Sequence, residues 1–188
     1  MGTHIGSHSV QQELFHIVIM GVSGCGKTTV AEALAARMGV GVADADSFHP
    51  KSNKDKMAAG IALNDHDRLP WLKQLRDWMG REDVAGNHSV MSCSALKRSY
   101  RDILRQAPGD VVHIQLDVDR DTTLERMTNR KGHFMPPSLL DSQLETLEPL
   151  DDDELGFIVD NTRPLEEVLD VIQEKLEDMG ALATIWLN

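Results

Sequence analysis

The 188-residue sequence has little cysteine, little positive charge and no long hydrophobic run. Of its two cysteines, Cys25 lies in a glycine-rich segment where a disulfide would be out of place, which favours a reducing compartment. A formal net charge of −11 argues against a nucleic-acid partner, because such a surface needs a basic face. No membrane-spanning run and no signal peptide are visible, so we expect a cytoplasmic protein with no membrane partner.

The length and apolar content indicate a single domain with a substantial core. We assign residues 15–180 to that domain, residues 1–14 to a flexible N-terminal extension and residues 181–188 to a C-terminal tail. Strands alternate with helices, which predicts an α/β fold whose parallel five-stranded sheet is covered on both faces. The predicted strands are 16–20, 40–44, 89–93, 111–116 and 156–160, and the predicted helices are 30–38, 54–59, 68–79 (with Pro70 in its first turn), 96–105, 121–130, 137–147 and 165–179.

The strongest local signal is the segment GVSGCGKT at residues 21–28, which satisfies the phosphate-binding pattern GxxxxGK[ST] between a predicted strand and a predicted helix. Glycines let backbone N–H groups turn toward phosphate oxygens, and the helix N-terminus adds partial positive charge. Lys27 can reach the β- and γ-phosphates, and the Thr28 hydroxyl can bind Mg²⁺. The sequence therefore predicts a nucleoside triphosphate site formed by Gly21, Ser23, Gly24, Cys25, Gly26, Lys27, Thr28 and Thr29.

Two carboxylates, Asp44 and Asp46, follow the second predicted strand, at the sheet edge where ligands bind in open α/β folds. Asp44 can hold a water in the Mg²⁺ shell, and Asp46 can accept a proton from a substrate hydroxyl that attacks the γ-phosphate. A guanine-reading Asn-Lys-x-Asp segment is absent, and the chain is short for a motor protein. These features favour a small-molecule kinase over a GTPase switch or a motor.

Longer segments resemble the gluconate kinases: DADSFHP at 44–50, KMAAG at 56–60, LNDHDRLPWL at 63–72, CSALKRSYRD at 93–102, RKGHF at 130–134 and QLETLE at 143–148. The resemblance runs in order from about residue 17 to residue 169. It departs at Ala45, where the family commonly has glycine, but both acids stay in register. It implies a three-layer P-loop kinase fold, like that of nucleoside monophosphate kinases, with a mobile lid. The implied reaction is phosphorylation of D-gluconate at its 6-hydroxyl by ATP with Mg²⁺.

In this reading, residues 48–79 form the substrate region and residues 129–142 form the lid. Gluconate carries a carboxylate and many hydroxyls, so its site needs cations and hydrogen-bond partners. Lys97 and Arg101 are the favoured cation pair, because residues four apart share a helix face. The full set of expected substrate contacts is Asp46, His49, Lys56, Asp67, Arg68, Ser94, Lys97, Arg101 and His133.

Arg126 and Arg130 are also four apart, on the predicted helix that leads into the lid. From that face they can swing over the triphosphate and stabilise charge in the transition state. Arg163, in the loop after the fifth strand, is expected near the adenine. The resemblance thus assigns catalysis to Lys27, Asp46 and Arg130.

Two other functions remain open on the sequence alone. One is a kinase of another small anionic or polyhydroxy acceptor, such as shikimate, which the two-acid strand end also suits. The other is a catalytically silent module that closes on ATP, although Lys27, Thr28, Asp46 and Arg130 are all present. Dimerisation is common among similar kinases, so a homodimer is a further expectation from the resemblance.

Overall fold

The computed structural model describes residues 13–129 and 137–180. The predicted C-terminal tail, nearly all of the predicted extension and residues 130–136 of the predicted lid lie outside this part of the chain. In chain order, the elements are β1 Phe15–Met20, α1 Lys27–Met38, β2 Gly41–Asp44, α2 Lys51–Ala58, α3 Asp65–Val84, β3 Ser89–Ser92, α4 Arg98–Leu104, β4 Asp110–Asp117, α5 Arg120–Thr128, α6 Pro137–Thr146, β5 Gly156–Asp160 and α7 Leu165–Asp178. A short 3₁₀ helix at Ala45–Phe48 lies between β2 and α2.

The five strands form one parallel sheet in the order β2-β3-β1-β4-β5, as predicted. β1 lies at the centre, and Ile17 is in register with Val90 of β3 on one side and Val112 of β4 on the other. The chain adds β2 and β3 on one side of β1 and then β4 and β5 on the other, so a crevice opens at the carboxyl end of β1. That crevice is where the glycine-rich segment emerges.

Helices cover both faces of the sheet and create two hydrophobic cores. Ile17 and Ile19 of β1 pack with buried residues of α1 and α7. Val18 and Met20 point to the opposite face and pack with buried residues of α3 and α4. This alternation of side chains along a strand buried on both faces produces a three-layer architecture.

Three helices, α1, α2 and α3, each begin three residues earlier than the sequence pattern predicts. α3 begins at Asp65 rather than Arg68, because the Asn64 side chain accepts from the Asp67 N–H at 2.8 Å and Asp67 accepts from the Asn64 N–H at 3.1 Å. This capping box fixes the helix start. Pro70, which was predicted in the first turn, therefore lies in the second turn. Because proline has no backbone N–H, the helix lacks one backbone hydrogen bond at this position. α1 begins at Lys27, directly after the phosphate-binding glycines.

A buried ion pair joins α4 to the segment between α6 and β5. The Arg101 guanidinium donates to both carboxylate oxygens of Glu154, at 2.8 and 2.9 Å, and both side chains are 0% exposed. Arg105 and the N–H of Asp151 also donate to Glu154. Burial alone would raise the pKa of Glu154, but these hydrogen bonds hold it well below its usual value.

None of the helices in 13–129 and 137–180 has the length and hydrophobicity of a membrane span. Cys25 and Cys93 are both buried free thiols. Burial raises the pKa of each, that of Cys93 to about 12.

The Glu154→Gln variant tests the buried ion pair, because it leaves the Arg101 guanidinium buried without an opposite charge. We expect the free energy of unfolding at pH 7 to fall by about 3–5 kcal/mol, measured by denaturant titration. The folded pKa of Glu154 lies below its unfolded value, so its stabilisation is complete above about pH 4.5 and is lost at lower pH. The variant should lack this part of the acid dependence. Glu32→Gln, exposed on α1, is the control, and equal stability of the two variants would contradict the assignment.

Candidate active site

The loop between β1 and α1 is confined by its neighbours. Gly24 and Gly26 have φ values of +79° and +97°, in the left-handed region that favours glycine. A Cβ on Gly24 would lie 2.5 Å from the side chain of Met127, and a Cβ on Gly26 would lie 2.7 Å from the amide nitrogen of Asn161. Both positions therefore need glycine for conformation and for space.

Side chains from distant parts of the sequence brace the loop. The Asn161 amide donates to the Cys25 carbonyl at 2.6 Å, and Arg126 donates to the same carbonyl at 3.4 Å and to the Asn161 carbonyl at 2.8 Å. Lys27 Nζ donates to the Val22 carbonyl at 3.0 Å, so its ammonium lies back across the loop. The loop is thus held from α5 and from the segment after β5.

A small cavity of about 90 Å³, here called the transfer cavity, lies where this loop meets the ends of β2 and β3. Asp44 is the last residue of β2, and its carboxylate accepts from the Asp46 N–H at 3.0 Å. This contact caps the 3₁₀ helix that carries Asp46. The cavity brings together Ser23, Lys27, Thr28, Asp44, Asp46 and Ser94.

A larger cavity of about 420 Å³ lies on the other side of the loop, and its volume is in the range of small-molecule sites. Gly24 and Gly26 line both cavities. The two cavities therefore meet at the phosphate loop. Three side chains expected to contact the nucleotide, those of Thr29, Arg126 and Arg163, line the larger cavity together with Asn161.

Trp71 of α3 supports the segment 44–46, here called the acidic segment, which carries Asp44 and Asp46. Its indole N–H donates to the Ala45 carbonyl at 2.7 Å, inside the 3₁₀ helix that carries Asp46. His49 stacks on the same ring with centroids 4.2 Å apart, and its Nδ1 lies 3.3 Å from the Asn53 amide. Burial lowers the pKa of His49, so its imidazole is neutral at pH 7.

Lys56 and Asp67 form an ion pair of 2.7 Å between α2 and the first turn of α3. The hydrogen bond from Lys56, with that from the Asn64 N–H, lowers the pKa of Asp67. The carboxylate therefore serves the helix cap and Lys56 at the same time.

A second polar cluster joins the N-termini of α3 and α4. The Arg68 guanidinium and the Lys97 ammonium each lie 5.5 Å from the centre of the Tyr100 ring. Lys97 also contacts the Asp65 carboxylate at 3.3 Å, and the Tyr100 hydroxyl donates to it at 2.6 Å. Two cations thus share one aromatic ring, with one carboxylate beside them.

Comparison with known proteins identifies the family to which this phosphate-binding site belongs. Residues 23–176 match the family described as Shikimate kinase. The gluconokinase of Gluconobacter oxydans (strain 621H) is 45% identical over 154 residues, which make up 82% of this chain and 86% of that protein. The chain belongs to the gluconokinase family. This confirms the resemblance seen in the sequence.

Solved structures give the same assignment. A sugar kinase from Janibacter sp. HTCC2649 is 43% identical with a TM-score of 0.83, covering 93% of this chain and 99% of that one. A gluconokinase from Sinorhizobium meliloti 1021 is 42% identical with a TM-score of 0.76, covering 89% and 98%. The P-loop kinase fold predicted from the sequence is therefore confirmed for this member of the gluconokinase family.

One predicted substrate contact is wrong. The Arg101 side chain is fully buried and binds Glu154 and, at 2.9 Å, the Ala95 carbonyl, so it holds α4 in place and does not face gluconate. Lys97 is the N-cap residue of α4 and precedes the helix proper. The helical face that the prediction assigned to this pair is therefore absent.

Two other predicted site residues, Arg130 and His133, lie outside the described residues. Cys25 lies in the loop, but the whole residue is 0% exposed and its N–H donates to the Val22 carbonyl, so its thiol offers no surface to a nucleotide. For the remaining predicted contacts the structure gives positions, and their roles stay predictions.

Sequence reasoning gave no role to Gln143, which contacts the loop. Its Oε1 accepts from the Ser23 N–H at 2.6 Å, and its Nε2 lies 3.1 Å from Ser23 Oγ. Gln143 belongs to the QLETLE segment that carries the family resemblance, but it is 120 residues from its partner. Only the fold shows that the two meet.

Gly26→Ala should weaken ATP binding at least about tenfold, since the loop must shift away from Asn161 and misdirect N–H donors aimed at a charged ligand. Titration calorimetry with ATP measures this loss. Gly39→Ala, at the other end of α1, is the matched control. Its φ is also positive, at +67°, but a Cβ there meets nothing within 4 Å. It should lower stability by about 1–2 kcal/mol and leave ATP binding intact. Equal ATP affinity in the two variants would contradict the confined loop.

Proposed function

We propose that this protein transfers the γ-phosphate of ATP to the 6-hydroxyl of D-gluconate, which yields 6-phospho-D-gluconate and ADP. The observation that carries the proposal is the transfer cavity, where Lys27 of the phosphate loop and Asp46 of the acidic segment line one space. Similarity to gluconokinases over most of the chain supports the choice of acceptor.

Asp46 acts as the general base in this reaction. Its carboxylate takes the proton of the 6-hydroxyl as that oxygen attacks the γ-phosphorus, and the bond to the β-phosphate oxygen breaks. Lys27 exchanges its contact with the Val22 carbonyl for the β- and γ-phosphates, where its charge offsets charge that develops during transfer. Arg130 is proposed to add a second cation from the lid.

Mg²⁺ fits the oxygen donors of Thr28 and Asp44, which line the same cavity. When bound with ATP, the ion would neutralise and orient the β- and γ-phosphates. Among the described residues, no three acidic, histidine or cysteine side chains are placed to hold a metal ion by themselves. The proposed site therefore relies on the phosphates of ATP for several of the Mg²⁺ ligands.

The cations beside Tyr100 are proposed to bind the gluconate carboxylate. Gluconate carries its carboxylate at one end of a six-carbon chain and the reacting hydroxyl at the other, so it needs a cation at a distance from the base. Arg68 lies on α3 three residues before Trp71, whose indole N–H donates to the Ala45 carbonyl beside Asp46, and this shared support favours Arg68 as that cation. Lys97, Lys56, Asp67 and Ser94 complete the proposed set of contacts, with His49 and His133.

A kinase of shikimate or another polyhydroxy acid is the second candidate, because the matching family is described as Shikimate kinase. The deciding experiment measures ADP formation from Mg·ATP with gluconate, with shikimate and with no acceptor. Of these conditions, only gluconate should strongly stimulate ADP formation. Stimulation by shikimate instead would replace the acceptor and keep the kinase chemistry, whereas ATP binding without any stimulation would favour a silent nucleotide-binding module.

Asp46→Asn should lower kcat by about 10²–10⁴-fold, because the amide cannot accept the proton, while ATP affinity stays within about twofold. Steady-state assay and nucleotide titration separate the two effects. Asp55→Asn, exposed on α2, is the matched control and should retain the wild-type kcat. Normal turnover of Asp46→Asn would remove this residue as the base.

Arg68→Ala should raise the KM for gluconate about tenfold or more, because an ion-paired hydrogen bond to the carboxylate is lost, and should leave the KM for ATP unchanged. Arg76→Ala on the same helix, where Arg76 pairs with Asp77 and Gln106, is the control. An unchanged KM for gluconate would contradict the assigned contact.

The location and assembly of the protein are also proposals. Two buried free thiols support a reducing compartment such as the cytoplasm. A homodimer remains the expectation from the resemblance, and light scattering coupled to size exclusion measures it directly.

A further inference from the structure

Gln143 of α6 makes a two-point contact with Ser23, a residue of the phosphate loop. The amide oxygen lies 2.6 Å from the Ser23 N–H, and the amide nitrogen lies 3.1 Å from the Ser23 hydroxyl. Ser23 also lines the transfer cavity together with Lys27 and Asp46. The contact therefore reaches the place where the terminal phosphate is proposed to react.

The chemistry of the two groups fixes every hydrogen in this contact. A backbone N–H can only donate, so the amide oxygen of Gln143 must face it. The amide nitrogen, which can only donate, then faces Ser23 Oγ, and that oxygen must accept. The proton of the Ser23 hydroxyl is consequently left for another acceptor. In the transfer cavity, the acceptor of complementary charge would be a phosphate oxygen.

The helix that carries Gln143 packs against the core, and this includes residues 137–142, which the sequence analysis expected in the mobile lid. Leu140 is 0% exposed in the core that includes α1 and α7, and Leu144 packs against the same core. Asp141 pairs with Arg120 of α5 at 2.7 Å. The amide of Gln143 therefore approaches the loop from an anchored support, which suits a group that sets the direction of a hydroxyl.

We propose that Gln143 is a positioning residue for phosphoryl transfer, which acts by directing the Ser23 hydroxyl proton toward the γ-phosphate. This inference rests on the proposed kinase function and adds to it a residue far from the glycine-rich motif. A hydrogen bond to a charged phosphate is stronger than one to a neutral group, so the loss of its alignment should reduce turnover.

The test compares Gln143→Met, Ser23→Ala and the double variant. Gln143→Met keeps the approximate length of the side chain and removes both polar contacts. We expect each single variant to lower kcat about ten- to hundredfold, with less than about a threefold change in the KM for ATP. The double variant should be no slower than the slower single variant, because both changes remove the same interaction. Glu145→Gln, exposed on the same helix, is the control and should retain the wild-type kcat.

Gln143→Glu separates direction of the proton from support of the loop. A carboxylate still accepts from the Ser23 N–H, so the loop stays held and the melting temperature should stay within about 2 °C of the wild type. Its second oxygen accepts as well, and so captures the hydroxyl proton that Gln143 leaves free. In the protein that retains Ser23, Gln143→Glu should lower kcat. In the Ser23→Ala protein the same change should lower kcat much less, and the comparison of the two effects corrects for the added charge.

Wild-type kcat in Gln143→Met would overturn the inference, as would a double variant whose loss equals the product of the two single losses. Failure of the proposed function is seen separately, in the wild-type protein. If gluconate does not stimulate wild-type ADP formation, the same variants are compared in ATP hydrolysis without acceptor. That reaction uses the same γ-phosphate and decides the role of Gln143 by the same criteria.

Discussion

The structure depends on one constraint: the backbone must turn sharply at the end of a strand that is buried on both faces. β1 lies at the centre of the sheet, and only residues 21–26 separate its end at Met20 from the start of α1 at Lys27. The turn is possible because Gly24 and Gly26 adopt positive φ values, and it brings backbone N–H groups to the N-terminus of a helix. Other elements then contribute side chains that brace the turn.

These braces come from widely separated parts of the chain. Asn161 follows β5, Arg126 lies on α5 and Gln143 lies on α6, yet all three contact residues 23–25 of one loop. The parallel sheet makes this convergence possible, because it delivers the carboxyl ends of all its strands to one edge. The loop is therefore shaped by the whole fold and not by its own motif alone.

The sequence was sufficient for features that depend on local pattern. The bounds predicted for β5 are those observed, and the phosphate loop and both acids fall at the predicted strand ends. The start of α3 was missed because the Asn64 cap, which is a hydrogen-bonding feature and not a hydrophobic one, determines it. The pattern predicted that Arg101 contacts the substrate together with Lys97, but Arg101 is buried with its partner Glu154, 53 residues away. Contacts of this kind are set by tertiary packing, which periodicity cannot report.

The burial of Cys25 has a consequence for the chemical durability of the protein. A thiol reacts with oxidants and alkylating reagents as its thiolate, and burial raises the pKa of this one and shields it from solvent. The sulfur packs beneath the loop, where an added Cβ on Gly21 would lie 2.8 Å from it. A cysteine at the centre of the nucleotide site is thus protected by the same tight packing that shapes the loop. Peroxide or a cysteine-directed covalent inhibitor would find no ready point of attack there.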